Sequence, residues 1–121
     1  MDFSSPGSRL LGDLMTAATK RAEVLGQNVA NQNTPGYIRK DVVFESELAK
    51  AIERGKSLED LEELELKVVE DDERPARADG NNVSVEEELS LARENRLLFE
   101  VYAAIRSGRG SMLRNAITGQ R

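Results

Sequence analysis

From about Ser8 to Asn31, Leu11, Leu14, Ala18, Leu25 and Asn28 keep alternating steps of three and four, with Arg21 the one charged member of the row. Leu10, Ala17 and Val24 flank it. This spacing predicts an amphipathic helix of roughly 36 Å at ~1.5 Å per residue. A seam this narrow suits a single partner helix better than a broad core. The run Asn31-Gln32-Asn33-Thr34-Pro35-Gly36-Tyr37 ends the helix. Pro35 presets its own φ and drives Thr34 out of the helical region, and Gly36 supplies a positive φ, so the pair fits the centre of a type II turn.

The middle of the chain is more mixed. Ser46 to Arg54 predicts a short helix with Leu48, Ala51 and Ile52 inward and Gly55 as its stop. Leu58, Leu61 and Leu64 recur every third residue among acids, and Leu64, Leu66 and Val68 then alternate, predicting a short strand near 64–69. Glu70 to Asn82 has no apolar period and reads as a solvated acidic loop closing on the turn residues Asp79-Gly80-Asn81-Asn82. From Ser84 to Ile117 the pattern is helical again. Ser84 and Glu87 form a capping box, and Glu86, Glu87 and Glu88 suit the positive end of the dipole. Leu91, Leu98, Ile105 and Met112 fall seven apart, with Val101, Tyr102 and Ala116 beside them. Gly108 and Gly110 lie inside this row, each costing about 1 kcal/mol relative to Ala.

The fold expected is mainly α. Long N-terminal and C-terminal helices (8–31 and 84–117) pair as a coiled-coil-like core, and the irregular acidic middle, 32–83, holds a short helix and a short strand. Residues 1–121 are read as one elongated domain whose middle supplies no core of its own. With 3 Phe, 2 Tyr and no Trp, the chain has few large side chains to bury, and helices of this kind bury against neighbours.

Charge and composition remove several function classes. Cysteine and histidine are both absent. This excludes disulfides, thiolate metal sites and thiol nucleophiles, and removes the commonest general base. Net charge is +1 over residues 1–56, −10 over 57–89 and +4 over 90–121. The basic C-terminal segment lacks interleaved aromatics and reads as a solvated helix face, not a nucleic-acid site. Glu70 to Glu73 with Asp79 match no register of a calcium loop, and no phosphate-cradling loop or nucleophile elbow occurs. No metal, cofactor, catalytic residue or small-molecule substrate is expected. The first residues lack the pattern of a Sec signal, and no apolar stretch is long enough to span a membrane.

The most information-dense run is Asn28-Val29-Ala30-Asn31-Gln32-Asn33-Thr34-Pro35-Gly36-Tyr37. A helix end and turn account for part of it. Asn28 and Asn31 on the last turns of an apolar seam point further, to amides that set register at a packed interface. The run, with Ala22 to Leu25 before it and Lys40 to Phe44 after it, resembles the signature of flagellar axial proteins of the rod and hook class. Asp79 to Val83, Glu86 to Glu88 and Ser111 to Ile117 resemble the short proximal rod member of that class. The likeness covers about 10–44 and 79–117 and is patchy over 45–75. Ser107-Gly108-Arg109-Gly110 departs from it, since better helix formers are usual there.

The resemblance implies a structural subunit without enzymatic activity. Such proteins are exported unfolded by the flagellar type III apparatus without a cleaved signal. They assemble helically above the membrane ring as the cell-proximal part of a periplasmic drive shaft, which transmits torque and encloses the export channel. Partners would be copies of the chain and other flagellar rod, ring-adaptor and export-gate proteins, with no membrane insertion. The assembly interface expected comprises Leu11, Leu14, Ala18, Leu25, Asn28, Asn31, Asn33, Thr34, Pro35, Gly36 and Tyr37 with Leu91, Leu98, Val101, Tyr102, Ile105 and Met112. A soluble cytoplasmic helical adaptor or export chaperone would use the same seams.

Overall fold

The structure is a computed structural model that describes residues 6–57, 60–108 and Gly119. Two long helices, α1 (Pro6–Ala30) and α3 (Val85–Arg106), bracket a middle segment. That segment holds β1 (Lys40–Val43), α2 (Glu45–Glu53), a 3-10 turn (Asp60–Glu63) and β2 (Lys67–Glu70). The helices pack antiparallel, since Asn28 meets Glu88, Ala18 meets Asn95 and Gly12 meets Arg106. The expected pairing of terminal helices is therefore present.

The middle departs from expectation by carrying a core. Phe44, Leu48, Ala51 and Leu61 are buried on Ala17, with Leu10, Leu14 and Leu64 packed around them. Phe44 sits between β1 and α2, and the step of three runs from Leu61 in the 3-10 turn to Leu64 just after it, which brings both leucines to the cluster around Ala17 of α1. Leu58 lies outside the described residues. Ile52, expected inward, is 57% exposed because it follows Ala51 round the helix beyond the contact with α1. α2 ends in a Schellman arrangement: Gly55 has φ 75°, its N–H donates to Ile52 O, and the Lys56 N–H donates to Ala51 O.

The strand expected near 64–69 is shifted to 67–70, because its register is set by pairing. β1 and β2 are antiparallel, with Lys40 opposite Glu70 and Val43 opposite Lys67. Leu64 is left to the core and Leu66 lies outside the strand.

The described part of α3 ends at Arg106, short of Ile117. Ser107 is its cap, and Gly108 takes φ 83° with its N–H donating to Ile105 O, a conformation that glycine enters without the penalty other residues meet. Residues 109–117, with Gly110, Met112 and Ala116, lie outside the described residues. At the start of α3 only half the capping box forms. Ser84 Oγ accepts from the Glu87 N–H, whereas the Glu87 carboxylate takes a 2.6 Å ion pair with Arg74.

The core makes a simple prediction for stability. Phe44→Ala should cost about 3–5 kcal/mol and Leu61→Ala about 2–5 kcal/mol, whereas Ile52→Ser should stay within about 0.5 kcal/mol. Urea titrations read by circular dichroism check this, and equal losses at all three positions would contradict the packing described.

Candidate functional site

The seam between α1 and α3 is filled at its centre by polar side chains. In α3 the buried positions are Glu88 and Asn95, seven residues apart. The leucine row expected to be the seam stands three positions further on, roughly 60° round the helix. Leu91, Val101 and Tyr102 are half-buried, and Leu98 and Ile105 are 40% and 44% exposed. On α1, Ala18, Leu25 and Asn28 are buried within the chain, and Leu11 and Leu14 are half-buried.

Arg39, just before β1, is 1% exposed, and its partner Glu88 is 0% exposed. The guanidinium reaches both Glu88 oxygens, Nε to Oε1 at 2.6 Å and Nη2 to Oε2 at 3.3 Å, and Nη1 takes Asp71 Oδ2 at 2.7 Å. Asn28 Nδ2 donates to Glu88 Oε2 at 3.0 Å, and Arg74 Nη1 lies 3.4 Å from Oε1. Burial works against the Arg39 charge, but hydrogen bonds to Glu88 and Asp71 outweigh it and hold its pKa above the ordinary guanidinium value. Partial burial pushes the Asp71 carboxyl up, yet Arg39, the Glu73 N–H and Arg74 together hold it below the usual range. Asp71 is thus an internal ion-pair partner, and the expectation of a wholly solvated acidic loop fails there.

A second arginine ties four elements together. Arg21, the charged member of the α1 row, donates to Glu45 Oε1 at 3.0 Å, Asn95 Oδ1 at 3.2 Å and Val42 O at 3.1 Å. Asn95 Nδ2 in turn donates to Ala18 O at 2.7 Å. Neither arginine is stranded, because each faces a carboxylate and fixed carbonyls or amides.

The signature turn is held from below by the Asp79 to Val83 run. Thr34 O accepts from the Tyr37 N–H at 3.2 Å, closing the turn with Gly36 at φ 74°. Asn81 Nδ2 donates to both Asn31 O and Thr34 O, and Arg77 to Gln32 O and Val83 O. Asn82 bridges the Arg39 N–H and Asp71 O. Gly36 and Gly80 touch: a Cβ on Gly80 would stand 3.2 Å from Gly36 Cα. Tyr37, half-buried, donates to Asn28 Oδ1. Asn31 is half-buried, whereas Asn33, Thr34, Pro35 and Gly36 are exposed. Met112 lies outside the described residues. Among the described residues no group of three or more acids is placed to hold a metal, and no helix is long and apolar enough to cross a membrane.

Two stretches of sequence 40 or more residues apart therefore form one unit, and the chain as a whole is similar to known proteins over most of its length. A flagellar basal body rod protein FlgB of Aquifex aeolicus (strain VF5) is 33% identical over 104 residues, covering 84% of each chain. The chain belongs to the FlgB family of flagellar basal body rod proteins. The Escherichia coli (strain K12) FlgB is 27% identical over 135 aligned residues, covering 97% of this chain and 96% of that one. The Salmonella typhimurium FlgB is 26% identical over 98% of both. No protein-family model matches the chain.

Arg39, Glu88, Asn81 and Asn82 are not among the interface residues that the hydrophobic pattern predicts in this member of the FlgB family. Glu88 looked like its neighbours Glu86 and Glu87, but the seven-residue step from Glu88 to Asn95 to Tyr102 was a usable sign of a polar row facing inward.

Two outcomes follow from the buried ion pair. Arg39→Met should cost about 3–5 kcal/mol, because it leaves the Glu88 charge buried without its main partner. Arg39→Met with Glu88→Leu should recover much of that loss in urea titrations. A single-variant loss below about 1 kcal/mol would contradict the role assigned here. The second outcome concerns pH. The folded pKa of Asp71 lies below its unfolded value. Its contribution is therefore present above the unfolded carboxylate pKa, near 4, and is lost as pH falls through the folded value. Asp71→Asn should cost about 1.5–3 kcal/mol at neutral pH, and the gap to the unaltered chain should close on acidification. A gap independent of pH would show that Asp71 acts without its charge.

Proposed function

We propose that this chain is a structural subunit of the proximal rod, polymerising helically with copies of itself and with other flagellar axial proteins. The rod it builds transmits torque and encloses the channel through which distal subunits pass. It lies in the periplasm and is reached through the flagellar type III apparatus, and the subunit serves by packing, not by catalysis. Family membership supports the rod. The finer reading rests on one observation: α3 spends polar residues on its interior seam and turns apolar ones outward, with Leu97 61% exposed beside Leu98 and Ile105. Apolar side chains arranged this way gain from burial against another subunit.

The exposed signature residues Asn33, Thr34 and Pro35 sit on a turn that Asn81 and Arg77 hold in place from inside. A subunit repeated many times needs such turns to point the same way in every copy, since any error recurs at each contact.

Leu98→Asp and Ile105→Asp test the reading. Both sites are exposed in the single chain, so its stability should change by no more than about 0.5 kcal/mol. A charge placed at a buried subunit contact should instead prevent assembly, giving few basal bodies by electron microscopy and no swimming. Normal rods with both variants would overturn this placement of the interface.

A further inference from the structure

The rest of the chain treats the two edges of the β1–β2 ribbon differently. On β1, the Lys40 N–H donates to Asn28 Oδ1 at 2.9 Å, and Lys40 O accepts from Asn28 Nδ2 at 2.8 Å. Val42 O accepts from Arg21 Nη2 at 3.1 Å. The outward backbone of β1 is capped. The backbone groups of Asp41 and Val43 accordingly face β2, and on the same side Arg39 O accepts from the Asp71 N–H at 2.8 Å. The alternation of an antiparallel ladder then directs the backbone groups of Val68 and Glu70 away from β1.

Among the described residues nothing covers that outer edge. The ribbon has two strands only, and every residue of β2 is exposed, Val68 by 42% and Val69 by 41%. A two-stranded ribbon is marginal by itself, and an open edge bearing exposed valines is a template for another strand. Charge says which strand. Residues 57–73 carry nine acids against the single base Lys67. A second copy would bring the same net acidic segment against this one, a like-charge field that disfavours self-pairing. A segment rich in Lys or Arg would meet the opposite field.

We propose that the outer edge of β2 accepts, by strand addition, an extended basic segment of a different polypeptide of the basal body. Main-chain bonds to Val68 and Glu70 supply the pairing, and Val68 and Val69, on opposite faces, lose exposed apolar area to the incoming strand. The proposal rests on the rod reading for where the partner is met.

Amide hydrogen exchange, resolved to single residues, tests it in the free chain and in isolated basal bodies. The Val68 and Glu70 amides should exchange freely in the former and about 100-fold or more slowly in the latter. The Val69 amide, facing β1, is the internal reference. Val68→Pro removes only an outward N–H and should lower basal-body counts about tenfold or more, whereas Val68→Thr keeps the N–H and should assemble normally. Should Val68→Pro unfold the chain, the exchange comparison on the unaltered protein decides alone. Glu65→Lys with Glu70→Lys should also lower the count, because it repels a basic partner; a count that holds or rises would favour self-pairing and overturn the proposal. Unprotected Val68 and Glu70 amides in assembled chains would overturn this inference alone. Absence of the chain from basal bodies would overturn the rod reading and the inference together.

Discussion

Arg39 and Glu88 are both charged, lie against each other at 2.6 Å, and are almost wholly withdrawn from water. Removing two charges from water is expensive, and their mutual attraction repays it only when the remaining donors and acceptors are also met. Here they are met by Asn28, Asp71 and Arg74, which come from α1, from the residue after β2 and from the loop before α3. A contact between the two long helices thereby fixes where the middle of the chain must lie. The pair selects one arrangement of helices, ribbon and turn, because any other leaves a buried charge without its partner.

From that constraint the two faces of α3 follow. Glu88 and Asn95 take the seam, where a coiled coil would place leucine, and the leucine row is turned aside to Leu91, Leu98 and Ile105. The apolar area that would have closed the hairpin is partly left on the outside. A chain with few aromatics still finds a small core, but it does so through the middle segment, with Phe44, Leu48 and Leu61 set on Ala17. Polar residues thus carry specificity inside while apolar ones are left on the outer face of α3, a division that suits the stacking of subunits proposed above.

Much of the helical frame was legible because period and punctuation agree. The α1 row, the Ser84 cap and the Pro35-Gly36 turn each rest on local physics that tertiary contacts do not override. β1 was not legible, since Lys40-Asp41-Val42-Val43 shows no apolar alternation and Arg39, just before it, is buried more deeply than any residue of the strand. Register misled at α3, where hydrophobicity alone ranked leucine above glutamate for the seam. Only the long-range partner, 49 residues away, makes Glu88 an interior residue. Asn81 and Asn82 read as ordinary turn residues for the same reason: their hydrogen-bond partners are carbonyls and N–H groups of another segment.

A density map of the purified basal body, with this chain traced side chain by side chain, tests the division between inside and outside most directly. Arg39 and Glu88 paired within each copy, with Leu98 and Ile105 covered by a neighbouring subunit, is the expected result. A rod in which the Arg39–Glu88 pair is broken, or in which Leu98 and Ile105 face open solvent in every copy, would contradict it.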